Sequence, residues 1–249
     1  MKERLHRWVV TNGAVLVRSL ERVIGRASLI PDEPFLDGAQ FRWVKLLEDH
    51  AETIRAELSR VMVRHQDLPN FQDISKDQRH LTSDDGWKTF FFYAYGFRAA
   101  ENCERCPETA RVLAQIPGMK TAFFSILAPG KHIPPHRGPF KGVIRAHLGL
   151  QVPEPREQCR IRVDQEIRAW EQGRVMVFDD TYQHEVWNDT DGVRVVLFLD
   201  IVRPLRFPVN LLNAGILKVI GWSPFVQNAA DNYRAWEREF DRTEPTSQQ

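Results

Sequence analysis

Apolar positions along the chain change period twice. Between residues 37 and 61, Phe41, Val44, Leu47, Ile54, Leu58 and Val61 recur three, four or seven positions apart, as on one stripe of an amphipathic helix. Asp37 or Gly38 can start that helix. A polar stretch from 65 to 85 reads as loop, and the aromatic run 87–95 reads as a strand, because aromatic side chains suit a half-buried pleated surface. A short helix over 107–115 carries proline in its first turn, where the missing N–H costs nothing. From residue 120 the period falls to two. Strands are expected over 121–128, 143–152, 159–164, 174–178, 184–187 and 193–202, with Pro129-Gly130, Gln172-Gly173 and Asp189-Thr190-Asp191-Gly192 among the turns. Beyond Arg203 the pattern is helical again to about Phe240, broken at Ser223-Pro224. These elements divide the chain into an N-terminal helical region (1–69), a β domain (70–204) and a C-terminal helical tail (205–249). The fold expected is mainly β with helical flanks around a sandwich or barrel.

Composition narrows the function classes. A chain of 249 residues with 43% hydrophobic and 27% charged residues has the make-up of a globular protein. A net charge of +1 supplies no field for nucleic acid. The N-terminus lacks a continuous apolar core of the signal-peptide kind, and no apolar run reaches bilayer-spanning length. A cytoplasmic chain is expected. The three cysteines give no disulfide framework; Cys103 and Cys106 form one CxxC without the second ligand pair a zinc site needs.

Candidate chemistry lies in the β region. On the 143–150 strand Arg145, His147 and Gly149 share one face, opposite Ile144, Ala146, Leu148 and Leu150; on the 193–200 strand Arg194 shares a face with Val196 and Phe198. An arginine inside an apolar strand is costly unless it meets an anion. Either an intramolecular carboxylate, such as Asp200 or Glu185, or a bound anion would satisfy each one. His136 and His184 are suitable ligands for iron, zinc or copper, although separation in sequence alone does not join them.

Four runs taken in order narrow these alternatives: His136-Arg137-Gly138-Pro139, Arg145-Ala146-His147-Leu148-Gly149-Leu150, Phe178-Asp179-Asp180-Thr181-Tyr182-Gln183-His184-Glu185-Val186-Trp187-Asn188, and Arg194-Val195-Val196-Leu197. Together they resemble the aspartyl/asparaginyl β-hydroxylase family, which includes bacterial members similar to lipid A acyl-chain 2-hydroxylases. The resemblance covers about 87–204. It implies a double-stranded β-helix, a cupin-like jelly roll, and an enzyme that uses Fe(II), 2-oxoglutarate and dioxygen to hydroxylate an unactivated C–H. The products of the co-substrate would be succinate and carbon dioxide.

By position, the resemblance makes His136 and His184 the metal-binding and catalytic residues. Arg194 would grip the distal carboxylate of 2-oxoglutarate. Arg145, His147 and Ser125 would contact the same molecule, and Trp87 would stand at the pocket entrance. Most relatives in the wider superfamily place a third, carboxylate ligand two residues after the first histidine; here that residue is Gly138, as in the β-hydroxylase branch. Asp179 and Asp180 are then expected to orient His184. The substrate is left between a lipid acyl chain and an aspartyl or asparaginyl β-carbon. The apolar, basic-flanked segment 205–222 would either meet a membrane interface or pack on the barrel. A non-catalytic cupin-like protein binding a dicarboxylate or metal, and less readily a zinc hydrolase, are the competing readings.

Overall fold

The computed structural model describes residues 19–242. Two antiparallel sheets face each other. The larger runs, in spatial order, through β1 (Phe35–Leu36), β9 (Val175–Phe178), β6 (Val143–Gln151), β11 (Arg194–Val202), β4 (Met119–Leu127), β2 (Trp87–Ala94) and β3 (Phe97–Arg98). The smaller runs β5 (Lys131–His136), β10 (His184–Asn188), β7 (Cys159–Val163) and β8 (Glu166–Ala169). This is the expected jelly roll with helical flanks.

Alternation along the central strands separates two cores. Ile144, Ala146, Leu148, Val195, Leu197, Leu199, Phe124 and Ile126 point away from the smaller sheet and pack against the Arg42–Asp49 and Ala51–Met62 helices. Val196, Phe123, Leu127, Phe91 and Trp87 point between the sheets, where they meet Ile133, Ile161, Val163 and Val186 of the smaller sheet. The second interior contains the polar side chains of interest, because the period-two face that carries Val196 also carries Arg194.

The helical stripe expected over 41–61 forms as two helices broken at His50, whose φ of −107° and ψ of 7° interrupt the first before Ala51 starts the second. The tail forms as expected, Val209–Gly221 and then Pro224–Arg242. Tyr233 fastens the last helix by accepting hydrogen bonds from the backbone N–H of Phe91 and from Asn102 Nδ2. Cys103, Cys106 and Cys159 are buried free thiols.

Candidate active site

The two histidines that sequence separates by 48 positions stand directly opposite each other, His184 of β10 on His136 of β5. Their ring centroids are 4.1 Å apart. A register shift produces this. Val186 pairs with Ile133 and His184 with His136, so β5 holds one residue more than its partner over that span. Such a bulge resets the alternation and lets Ile133 and His136 face the same interior. The extra residue falls at Pro134-Pro135, and β5 is an edge strand, the place in a sheet that tolerates prolines.

Both rings are oriented by the same local device. His136 Nδ1 lies 2.8 Å from the carbonyl oxygen of Pro134, and His184 Nδ1 lies 3.0 Å from that of Tyr182. A carbonyl only accepts, so each Nδ1 carries the proton and each Nε2 keeps its lone pair. Burial pushes His136 down to about 4 and His184 down to about 3, so both are neutral at pH 7. His184 is held by backbone groups of the loop before it, the carbonyl of Tyr182 and the backbone of Asp180, and by neither aspartate carboxylate.

Asp179 instead anchors the loop that precedes His184. Its carboxylate accepts from Thr181 N at 3.0 Å, from Lys141 Nζ at 2.9 Å and from the buried guanidinium of Arg203. Asp180 lies against Gly138: a Cβ added at 138 would sit 1.9 Å from Asp180 Oδ2. Glycine is required there because the Asp180 carboxyl fills the volume that a side chain would need. Burial raises the pKa of Asp180, while Arg145 opposes the rise. Among the described residues no group of three His, Cys, Asp or Glu side chains is arranged to hold a metal; the paired rings of His136 and His184 present two imidazole nitrogens to one interior.

The two strand arginines have different surroundings. Arg145 is engaged twice, by Asp180 at 2.9 Å and Asp200 at 3.0 Å, and lies over the Phe198 ring. Intramolecular carboxylates therefore satisfy it. Arg194 is 2% exposed and has no carboxylate. Its Nη1 reaches Ser125 O at 3.4 Å and Ser125 Oγ at 3.5 Å, its Nε has no partner, and its guanidinium stacks over Trp170 at 4.8 Å. Burial pulls its pKa down to about 10.

His147 lies nearby with both ring nitrogens buried and unpartnered, enclosed by Trp170, Phe178 and Phe198. Ser125 Oγ accepts from Trp87 Nε1 at 3.0 Å. Trp87, the first residue of β2 as expected, is 6% exposed and stacked on Phe71. Trp170, Phe178 and Phe198 enclose the His147 ring. Phe198 was already on the face of Arg194 and Phe178 opened the third run, but Trp170, which follows the four-residue strand β8, was not singled out from sequence.

Unmatched polar atoms of this kind, Arg194 Nε and the His147 ring nitrogens, in a buried interior, suit a ligand carrying carboxylate. The sequence profile of the aspartyl/asparaginyl β-hydroxylase family matches residues 48–204. The chain is 45% identical over 207 residues to the ornithine lipid ester-linked acyl 2-hydroxylase of Rhizobium tropici, covering 83% of this chain and 74% of that protein. It is 34% identical over 170 residues to human aspartyl/asparaginyl β-hydroxylase, covering 66% of this chain but only 22% of the human protein. Mouse aspartate β-hydroxylase domain-containing protein 2 is 30% identical over 217 residues, 81% of this chain and 61% of that one. Among solved structures, a Pseudomonas putida prolyl-4-hydroxylase overlaps 65% of this chain and 98% of its own at 18% identity and a TM-score of 0.38, too loosely to bear on function. From the extent of the profile match and the full-barrel identity to named hydroxylases, the chain belongs to the aspartyl/asparaginyl β-hydroxylase family and is an enzyme of the hydroxylase type.

Proposed function

We propose that the enzyme hydroxylates a lipid acyl chain, using Fe(II) held by His136 and His184, 2-oxoglutarate and dioxygen. The observation that carries this reading is Arg194: a buried guanidinium with no acid partner, in the interior that also holds His147 and, across the Phe178 ring, His184. A carboxylate is the partner whose planar geometry matches a guanidinium fork. Imidazole is an accepted ligand for iron, so the residues present fit both groups. The bound metal and co-substrate would supply the oxidising power for C–H hydroxylation, with 2-oxoglutarate leaving as succinate and carbon dioxide.

The rest is done by the chain. Arg194 and Ser125 Oγ fix one carboxylate of the co-substrate, and Trp170 keeps the guanidinium planar to it. His147, neutral because burial and the charge of Arg194 hold it well below its ordinary value, offers one donor and one acceptor without adding charge. Arg145 holds the Asp180 carboxyl beside Gly138. The aromatic enclosure of Phe178, Phe198 and Trp170 keeps bulk water from the reacting region.

A lipid substrate is favoured over a peptide by the relative that matches 83% of this chain, whose name specifies the ester-linked acyl chain of ornithine lipid. The test is incubation with Fe(II), 2-oxoglutarate and 18O2, offering ornithine lipid in detergent and, separately, aspartyl and asparaginyl peptides. One labelled oxygen on the ester-linked chain, with equimolar succinate, is expected. Oxygen on the peptides would move the reading to the β-carbon. Tight 2-oxoglutarate binding without any succinate would return it to a non-catalytic binding protein.

A further inference from the structure

The surface that carries the C-terminal helices is built outside-in. Nine large hydrophobic side chains are exposed among the described residues, and seven of them, Val23, Leu29, Phe207, Leu211, Leu212, Val219 and Trp222, lie in two short stretches. Those stretches adjoin. Leu29 N donates to Pro204 O and Arg206 N to Ala27 O, and Ser28 bridges to Leu205. Clustering of this kind differs from the scattered single apolar residues usual on a soluble surface.

The Val209–Gly221 helix has two apolar faces. Leu217, with Ile216 and Ile220 beside it, packs on Ile24, Phe140 and Val143, while Asn213 Nδ2 donates to Gly142 O. At 100° per residue, Leu211, Leu212, Gly215, Val219 and Trp222 then fall within about a third of the circumference on the other side. All five are exposed. Lys218 borders this stripe with its Nζ 5.0 Å from the Trp222 ring, so its stem covers apolar surface while its charge reaches outward. From Pro204 to Pro224 the charged residues are Arg206 and Lys218, both exposed, with no Asp or Glu.

The same end of the molecule leads to the histidines. The helical segment 19–27, which carries Ile24 toward the tail helix, turns Glu21, Arg22, Gly25 and Arg26 toward a cavity of about 710 Å³. Its far wall is Arg137, Lys141 and Thr181, on the two loops that carry His136 and His184. The helical segment 19–27 therefore joins the exposed apolar stripe to a charged cavity lined by Arg137, next to His136, and by Thr181, three residues before His184.

We infer that this face, formed by 23–29 and 206–222, seats the enzyme on an anionic lipid bilayer and directs the charged cavity at a lipid headgroup. The choice of a bilayer over a protein partner rests on the lipid reading above. It is supported by an apolar stripe flanked by cations and free of acids, the composition that lies in a membrane interface, and by continuity with the cavity. Among the described residues no single helix is long and apolar enough to cross a membrane; Val209–Gly221 reaches that length only together with the next helix, from which it is bent by 47°. The cavity itself mixes Arg22, Arg26, Arg137 and Lys141 with Glu21 and Asp32, a set that can receive a headgroup carrying both an anion and an ammonium.

Flotation of the full chain with vesicles tests this. Binding is expected to phosphatidylcholine mixed with phosphatidylglycerol, and to fall with added salt. Leu212→Glu combined with Val219→Glu should lower the partition coefficient about tenfold or more, since two apolar side chains no longer leave water. Melting temperature and turnover of detergent-dispersed lipid should not change. Val219→Cys offers a second readout, because the three native cysteines are buried and a polarity-sensitive thiol label would report position 219 alone. Its emission should shift to the blue only when vesicles are added. A blue-shifted label without vesicles at low concentration would mean that the chain itself covers the face; a shift that follows protein concentration, with doubled mass, would mean a second copy does. Either result, or no flotation, overturns the inference. Activity on detergent-dispersed lipid without flotation would sink this surface and leave the substrate reading standing. Flotation without oxygen transfer to any lipid would support the surface and sink the substrate reading.

Discussion

Replacing Arg194 by Met should make the ligand-free protein more stable while removing its response to 2-oxoglutarate. Arg194 is buried, its two bonds to Ser125 are long at 3.4 and 3.5 Å, and its Nε has no partner. A buried polar group left without a partner costs about 1–3 kcal/mol, and a buried charge that lacks a counter-ion is the arrangement most improved by an apolar replacement. Methionine is unbranched, of similar reach, and adapts to irregular space. The variant should gain about 1–3 kcal/mol, which for a chain of this size raises Tm by about 2–10 °C.

Ligand offsets the difference. Fe(II) with 2-oxoglutarate at a hundred times its Kd adds about 2.7 kcal/mol to a protein that binds it and nothing to one that does not. Anaerobic thermal unfolding of both proteins, with and without the two ligands, gives four curves. The account requires Arg194→Met to melt higher without ligand and to be unmoved by 2-oxoglutarate. A variant that melts lower without ligand, or that responds to 2-oxoglutarate as the wild type does, would refute the assignment of Arg194 as an anion site held at a cost in stability.

Arg194→Lys exchanges a fork for a point charge; loss of one charge-assisted hydrogen bond, about 1.5–3 kcal/mol, should raise KM for 2-oxoglutarate about 10- to 150-fold in a succinate assay, and an unchanged KM would contradict the fork. Gly138→Ala should cost about 1–3 kcal/mol by overpacking against Asp180, and should cost little when made in an Asp180→Ala background, which pays separately for the partner that Arg145 loses; additive losses in a denaturant double-mutant cycle would show that the two positions do not meet. Asp179→Asn should destabilise by about 3–5 kcal/mol at neutral pH, because it strands the buried Arg203. Burial would raise Asp179, but Arg203, Thr181 and Lys141 hold it below its ordinary 3.8. Its contribution is therefore complete above about pH 4 and fades as pH falls through the lower folded value; a wild-type advantage that disappears between pH 7 and 5 would contradict this. His184→Ala should abolish metal binding by calorimetry while the far-ultraviolet circular dichroism stays that of the wild type.

The larger sheet was legible because β6 over 143–149 and β11 over 194–200 keep period two, which puts Arg145 with His147 on one face and Arg194 with Val196 and Phe198 on another. The smaller sheet was less so. Strand β5 has two prolines and a bulge, which erase both the propensity and the alternation of a strand, yet they turn His136 toward His184. Strand β8 is four residues long and mostly exposed, too short a signal to mark Trp170 behind it. Which arginine would be paired internally could not be read at all. Both lie on apolar strands, and only the register of β6 on β11, Arg145 opposite Asp200, gives one of them its carboxylate. The resemblance supplied the convergence of His136 and His184; the sequence pattern alone supplied only two suitable side chains.

The central claim is that two imidazoles and one buried guanidinium together hold ferrous iron and 2-oxoglutarate. Anaerobic titration followed by visible absorption tests it most directly, since a keto acid chelating Fe(II) absorbs where neither component alone does. The account predicts a band that needs both additions, saturates at one iron per chain, and is lost in His184→Ala and Arg194→Met. A band that persists in either variant, or 2-oxoglutarate bound as tightly without metal as with it, would contradict the account.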